Sequence, residues 1–276
     1  MTTKIEWTDE TWNPVTGCTK VSAGCAHCYA ERMSRRLAGR HGYPEAPHHF
    51  DVTLRPDRLE QPRHWLKSRR VFVVSMGDLF HDGVPLEYVA RVWQIMRSTP
   101  WHTYQVLTKR PGRMLQFLNQ CDEWEGWITN DGMPPKGYGG GPTGIVVGDT
   151  DHWPLPNVWL GVTAENQTTA DERILLLLQC LAAVRLVSCE PLLSEIDLNE
   201  YLHCGISWCI IGAESGPGAR PMDGNWVRRL IAQCKQYQVP VFYKQMIVGR
   251  KKIPLPMLDG RQYIEFPLTT HRPNAK

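Results

Sequence analysis

The chain lacks a basic opening followed by an apolar stretch; Met1 to Glu10 is polar and acidic, so a secretory signal is not expected. It also lacks an apolar run of the roughly 20 residues that a membrane span needs. The most apolar stretch, residues 174–187, is interrupted by Gln179 and Arg185 and reads as a buried helix running into a strand. No internal repeat and no heptad pattern is present, which argues against solenoids and coiled coils. Charge of one sign is scarce as well: a formal net charge of +3 is too small to establish a nucleic-acid partner. Only residues 228–276 are lopsided, with Asp259 and Glu265 the sole acids among many Lys and Arg, a run that fits a basic face or simply a solvated one.

What is present begins with size. At 276 residues and 42% hydrophobic, the chain can bury a full core, and a single α/β barrel takes about 250 residues. Nine cysteines are an odd count without an export signal, which disfavours a complete disulfide framework and favours a reducing, cytoplasmic setting with thiolates free for metal.

Short apolar, β-branched runs recur at residues 71–75, 103–107, 158–162, 184–188, 208–212 and 239–243. Helical spacing of apolar residues fills 29–38, 86–98, 113–121, 169–182, 195–202 and 225–237. Such alternation implies parallel strands with right-handed crossovers, in an open doubly wound sheet or a barrel. Periodicity does not choose between them. The strand ends do favour one: Ser75 with Asp78, Thr108 with Lys109, Thr163 with Glu165 and Asn166, Ser188 with Glu190, Glu214 with Ser215, and Lys244 with Gln245. Polar ends also fit wet loops, but six alike are expected where they converge on the mouth of a partial or near-complete (β/α) TIM-like barrel. Residues 1–276 are therefore expected to form one domain. Residues 122–157, rich in Gly and Pro, read as an insertion whose Trp124, Trp127, Tyr138 and Trp153 pin it down or stack on a planar substrate.

The strongest local signal is Cys18-x6-Cys25-x2-Cys28. Pro14, Gly17 and Gly24 make this a bending loop, which lets three sulfurs wrap one metal centre. Structural zinc and electron-transfer clusters take four protein ligands. A cubane held by three thiolates keeps one iron open, suited to the amino and carboxylate groups of a methionine moiety. Zinc, with His27 or a distant cysteine as fourth ligand, is the alternative, and the other six cysteines are assigned to the core.

Several segments look familiar: Ile5-Glu6-Trp7-Thr8-Asp9, Trp12-Asn13-Pro14-Val15-Thr16-Gly17-Cys18, the cysteine triad, Ser75-Met76-Gly77-Asp78-Leu79-Phe80-His81, Val106-Leu107-Thr108-Lys109-Arg110-Pro111, Gly161-Val162-Thr163-Ala164-Glu165-Asn166, Ser188-Cys189-Glu190-Pro191-Leu192-Leu193 and Gly212-Ala213-Glu214-Ser215-Gly216-Pro217. Together they resemble a phage and prophage family with a three-cysteine motif, which looks like a branch of the radical-SAM enzymes. The resemblance covers nearly the whole chain apart from the insertion and the tail. It implies a barrel of the radical-SAM type, a [4Fe-4S] cluster on Cys18, Cys25 and Cys28, and S-adenosylmethionine as second cofactor. On the same resemblance, His27 stands where an aromatic residue lies close to the adenine. Ser75 to Asp78 would hold the methionine amino group, Glu165 and Asn166 the ribose, and Gly212 to Gly216, with Glu214 and Ser215, the adenine. Two features depart from the common pattern: the first cysteine spacing is six residues rather than three, and no Gly-Gly-Glu follows the second strand.

The expected activity is reductive cleavage of S-adenosylmethionine to a 5′-deoxyadenosyl radical, with a flavodoxin- or ferredoxin-like protein as external electron donor. Lys109, Glu190 and Lys244 are the expected catalytic side chains; Thr108 to Arg110 and Lys244 also suit carboxylate or phosphate recognition, and solvent-facing lysines are the plain alternative. A nucleobase or nucleotide in DNA or RNA is the expected substrate, and no membrane partner is expected. The rivals are a zinc-stabilised nucleic-acid-binding barrel and a hydrolase with Asp78, Glu190 and Glu214 around a divalent ion.

Overall fold

The β-branched runs pair in the order in which they occur along the chain. In the computed structural model, which describes residues 3, 5–120, 154–249 and 251–268, the strands are β1 (Glu10–Trp12), β2 (Val15–Thr16), β3 (Thr53–Leu54), β4 (Arg70–Val73), β5 (Thr103–Thr108), β6 (Val158–Thr163), β7 (Val184–Cys189), β8 (Trp208–Gly212), β9 (Val241–Val248), β10 (Lys251–Pro254), β11 (Met257–Leu258) and β12 (Arg261–Gln262). The helices are α1 (Tyr29–Leu37), α2 (Leu86–Ser98), α3 (Pro111–Asn119), α4 (Gln167–Gln179), α5 (Asn199–His203) and α6 (Gly224–Gln236). The insertion, with Trp124, Trp127, Tyr138 and Trp153, lies outside the described residues apart from its last four positions, and Cys121 lies outside them too.

One sheet of eight strands runs β1-β4-β5-β6-β7-β8-β9-β10. The first seven are parallel, and β10 turns back antiparallel on β9. The order never reverses, so the sheet has no topological switch point and the doubly wound alternative is excluded. β6 is buried at all six positions, as expected of a parallel strand covered on both faces.

The two faces separate cleanly by pleat. On the convex face, Val162, Val187, Cys209, Ile211 and Tyr243 pack under the helices in the main core. On the concave face, Trp7, Trp159, Leu186, Trp208, Ile210 and Phe242 form a second cluster. Trp7, which precedes β1, stands 6.2 Å from the ring of Trp208 on β8, a contact possible only because the sheet curls. The result is a half-barrel with an aromatic floor.

Strands β4 to β9 and the helices sit within a few residues of the sequence reading. Strands β1, β2, β3, β10, β11 and β12 lie outside the six expected runs, and the helix expected at 195–202 shrinks to the single turn of α5 because the chain before it is used otherwise: the Leu192 and Leu193 N–H groups bond to the Gly212 and Glu165 carbonyls. Cys180, Cys189, Cys209 and Cys234 are free and buried, as a core assignment requires, but Cys204 is exposed. It follows the last residue of α5, where the chain turns outward through Gly205 at φ +114°.

Among the described residues, part of the basic C-terminal segment is neutralised in place. Arg228 pairs with Asp259, Arg229 with Glu195, Lys252 with Glu6 and Arg261 with Glu265. Among the described residues no helix is long and apolar enough to cross a membrane.

Trp208 is fully buried at the centre of the concave cluster, and its Nε1 donates to the Glu265 carbonyl at 2.9 Å. Trp208→Ala is expected to cost about 3–5 kcal/mol, read as a lowered denaturant midpoint with the slope unchanged.

Candidate functional site

The cysteine loop follows β2, which pairs with β3 apart from the main sheet, and is fastened at every turn. The Gly17 N–H donates to the Met76 carbonyl at 2.9 Å, and the Cys18 N–H donates to the Phe50 carbonyl at 3.1 Å. Gly17 has φ +86°, and a Cβ there would run into the Asp51 carbonyl, so glycine is required on both counts. Asn13 ties the loop's root to the end of β4, its Oδ1 accepting from Ser75 Oγ (3.2 Å) and Met76 N–H (2.9 Å). A single 3-10 turn, Ala23–Cys25, then brings the chain round to Cys28 and into α1.

Three carboxylates at strand ends, each matched to an arginine, hold this loop across the mouth. Asp78, after β4, accepts four hydrogen bonds: from Phe80 N–H and Thr108 Oγ1 on one oxygen, and from Lys109 N–H and Arg110 Nη1 on the other. That saturates a carboxylate. Arg110 passes the connection on, Nη1 reaching Cys18 Sγ at 3.3 Å and Nη2 reaching the carbonyl and hydroxyl of Thr19. Glu165, after β6, is fully buried, pairs with Arg173 at 2.9 Å and accepts from Ser22 Oγ and Gly24 N–H. Glu214, after β8, pairs with Arg220 and accepts from His27 Nδ1 at 2.9 Å, while Arg220 also donates to the Ala23 carbonyl. Arg32 on α1 closes the ring by donating to the Ser215 carbonyl.

The electrostatics follow from these contacts. Burial would raise the Glu214 pKa, but hydrogen bonds from the Arg220 side chain and N–H and from His27 bring it from 4.5 to about 2. Glu165 is also lowered: burial opposes ionisation, and Ser22, Arg173, Lys109 and Gly24 outweigh it. Burial and the nearby Asp78 push the Cys18 thiol up against the pull of Arg110. Cys25 goes the other way: its burial is overcome by hydrogen bonds from the Val21 and Ser22 backbone and by the charge of Lys109.

The sequence-expected residues fall into three sets. Cys18, Cys25, Cys28, His27, Asp78, Glu165 and Glu214 come together around the loop, and Lys109 acts on Cys25 and Glu165 by charge while its ammonium has no hydrogen-bond or ion-pair partner among the described residues. Glu190 and Lys244 form a separate pair. A bulge in β9 at Lys244, where the register with β8 slips between Ile211 and Gly212, accompanies this pairing; Gly212 lies against Glu190, where a Cβ would stand 3.2 Å from Glu190 Cγ. Asn166 stands apart as the N-cap of α4, its side chain accepting from Thr169 N–H in a capping box. Ser22, Arg32, Arg173 and Arg220 were not foreseen; nothing in their spacing marks them, because each meets its partner only through the fold.

Among the described residues no group of three or more His, Cys, Asp or Glu side chains is disposed to hold one metal ion. Asp78, Glu190 and Glu214 each engage a different cation instead. The three motif thiols are free and share one loop. Their donor type, soft sulfur, is the one an iron–sulfur cluster takes, in which each cysteine binds a different iron.

The depressed Glu214 pKa carries a sign. Its pairing stabilises the fold fully above pH 4.5, and that contribution is lost as pH falls towards about 2. Glu214→Gln is expected to flatten the acid limb of the stability profile between those values, measured by urea unfolding at stepped pH; a profile parallel to the parent's would contradict the assignment.

No curated protein and no solved structure matches the chain. The family model described as "Protein of unknown function (DUF5131)" matches residues 2–267.

Proposed function

The chain belongs to the DUF5131 family, and we propose that it is a radical-SAM enzyme acting on a nucleobase or nucleotide. The observation that carries this reading is the placement of three free cysteines on one braced loop over the C-terminal mouth of a parallel half-barrel, the end at which barrel enzymes do their chemistry. When bound, a [4Fe-4S] cluster with S-adenosylmethionine at its open iron supplies one-electron cleavage of the sulfonium–carbon bond, the electron coming from a flavodoxin- or ferredoxin-like donor.

Cys18, Cys25 and Cys28 would hold the cluster. Asp78, Glu165 and Glu214 act through the loop they brace, and His27, fixed by Glu214, presents its ring beside Gly218. Lys109, whose ammonium has no partner among the described residues, is suited to a carboxylate at the mouth. Glu190 and Lys244 share a hydrogen bond and can hold or pass a proton at Glu190 Oε1 or Lys244 Nζ as a substrate is bound. The aromatic floor beneath them keeps water away from a reactive species. A nucleic-acid partner is supported by Arg35, Arg36 and Arg40, which are exposed directly after the triad and have no acidic partner among the described residues.

Anaerobic reconstitution is expected to load iron and sulfide, and the EPR signal of the reduced protein is expected to change when S-adenosylmethionine is added. Cys18→Ala, Cys25→Ala and Cys28→Ala should each abolish the loading. A colourless protein holding one zinc would refute the proposal, and retention of activity by all three variants would favour hydrolysis.

Nucleic-acid binding is expected to weaken linearly in log–log salt plots, with a slope of about −0.7 per phosphate contacted on a single strand. Arg35→Ala with Arg36→Ala should reduce that slope. Binding indifferent to salt would point to a small-molecule or peptide substrate.

A further inference from the structure

Arg110 is, among the described residues, the charged group that hydrogen-bonds a motif sulfur. Its side chain is 9% exposed and that of its partner Asp78 6%, so this ion pair is largely removed from solvent, beside a half-buried Cys18. Both terminal nitrogens of the guanidinium are used. Nη1 stands 3.3 Å from both Cys18 Sγ and Asp78 Oδ2, and Nη2 stands 3.1 Å from the Thr19 carbonyl and 2.9 Å from its hydroxyl. Asp78 is itself oriented by the Thr108 hydroxyl and two backbone N–H groups. Thr19 is held from its other side by His81 Nε2 at 2.8 Å. The arginine therefore has little freedom to leave the sulfur.

We propose that Arg110 is a positioning residue that holds Cys18 in place as a cluster ligand and sets the reduction potential of the cluster, an inference that rests on the cluster reading above. A fixed cation and hydrogen-bond donor at a ligand sulfur stabilises whichever oxidation state carries more negative charge, which is the reduced one. Its effect is strong where water is excluded. Arg110 thus favours uptake of the electron from the external donor. Lysine keeps the charge but cannot span the sulfur, the carboxylate and Thr19 at once.

The test uses the full chain, reconstituted anaerobically as parent, Arg110→Gln, Arg110→Lys and, as control, Arg113→Gln, whose arginine bonds the Asp82 and Val84 carbonyls instead. Iron per chain is measured first, then the reduced fraction at the poise that half-reduces the parent. Arg110→Gln is expected to keep its iron while its ratio of reduced to oxidised cluster falls about tenfold, equivalent to about 59 mV for one electron. Arg110→Lys should fall between it and the parent, and Arg113→Gln should match the parent. If Arg110→Gln loses its iron, Arg110→Lys carries the test. A fully loaded variant titrating with the parent overturns the role of Arg110 and spares the cluster; a parent that takes up no iron overturns the cluster reading and this inference together.

Discussion

The mouth of this half-barrel depends on three carboxylate–arginine pairs that fasten one loop to the ends of strands that follow it. Asp78–Arg110, Glu165–Arg173 and Glu214–Arg220 come from the ends of β4, β5, β6 and β8 and from the elements that follow. Each carboxylate or its arginine then contacts the segment between Cys18 and Cys28. A buried ion pair gives little net stability over an apolar contact of the same shape, yet losing one partner strands a charge at a cost of about 3–5 kcal/mol. Such pairs therefore serve geometry: they allow one arrangement of the loop and penalise the rest.

The sheet makes this bracing possible. Because the strand order rises without reversal, every parallel strand delivers its C-terminal end to the same rim, and side chains distant in sequence meet there. Below the rim the concave surface turns apolar, with Trp159, Trp208 and Phe242 closing it off. Ionised groups at the top thus sit over a low-dielectric floor, where a hydrogen bond such as that from Arg110 to Cys18 counts for more than it would in water.

Two residues for which the family resemblance implied ligand binding carry structural bonds. Asn166 caps α4, and Asp78 spends its whole accepting capacity on the protein. Both lie just past strand ends, where the sequence pattern cannot separate a side chain that turns back to its own backbone from one that faces a ligand. Lys109, just past β5, and Lys244, within β9, also diverge: the first has no partner among the described residues, and the other meets Glu190 at a bulge in β9 that no pattern announced.

Alternating apolar periods determined, from the sequence alone, the helices and the six consecutive strands β4 to β9 with their parallel sense, because burial of one face at a period of two or 3.6 residues is a local property. The cysteine spacing likewise marked the loop. Tertiary structure decided that the sheet curls rather than lies open, that Cys204 faces out, and that Arg110, Arg173 and Arg220 govern the mouth. Those outcomes rest on contacts between residues far apart in the chain, as between Trp7 and Trp208 and between Arg220 and Ala23. Pairing of that kind leaves no periodic trace along the chain, since it exists only once the strands have brought their ends to one rim.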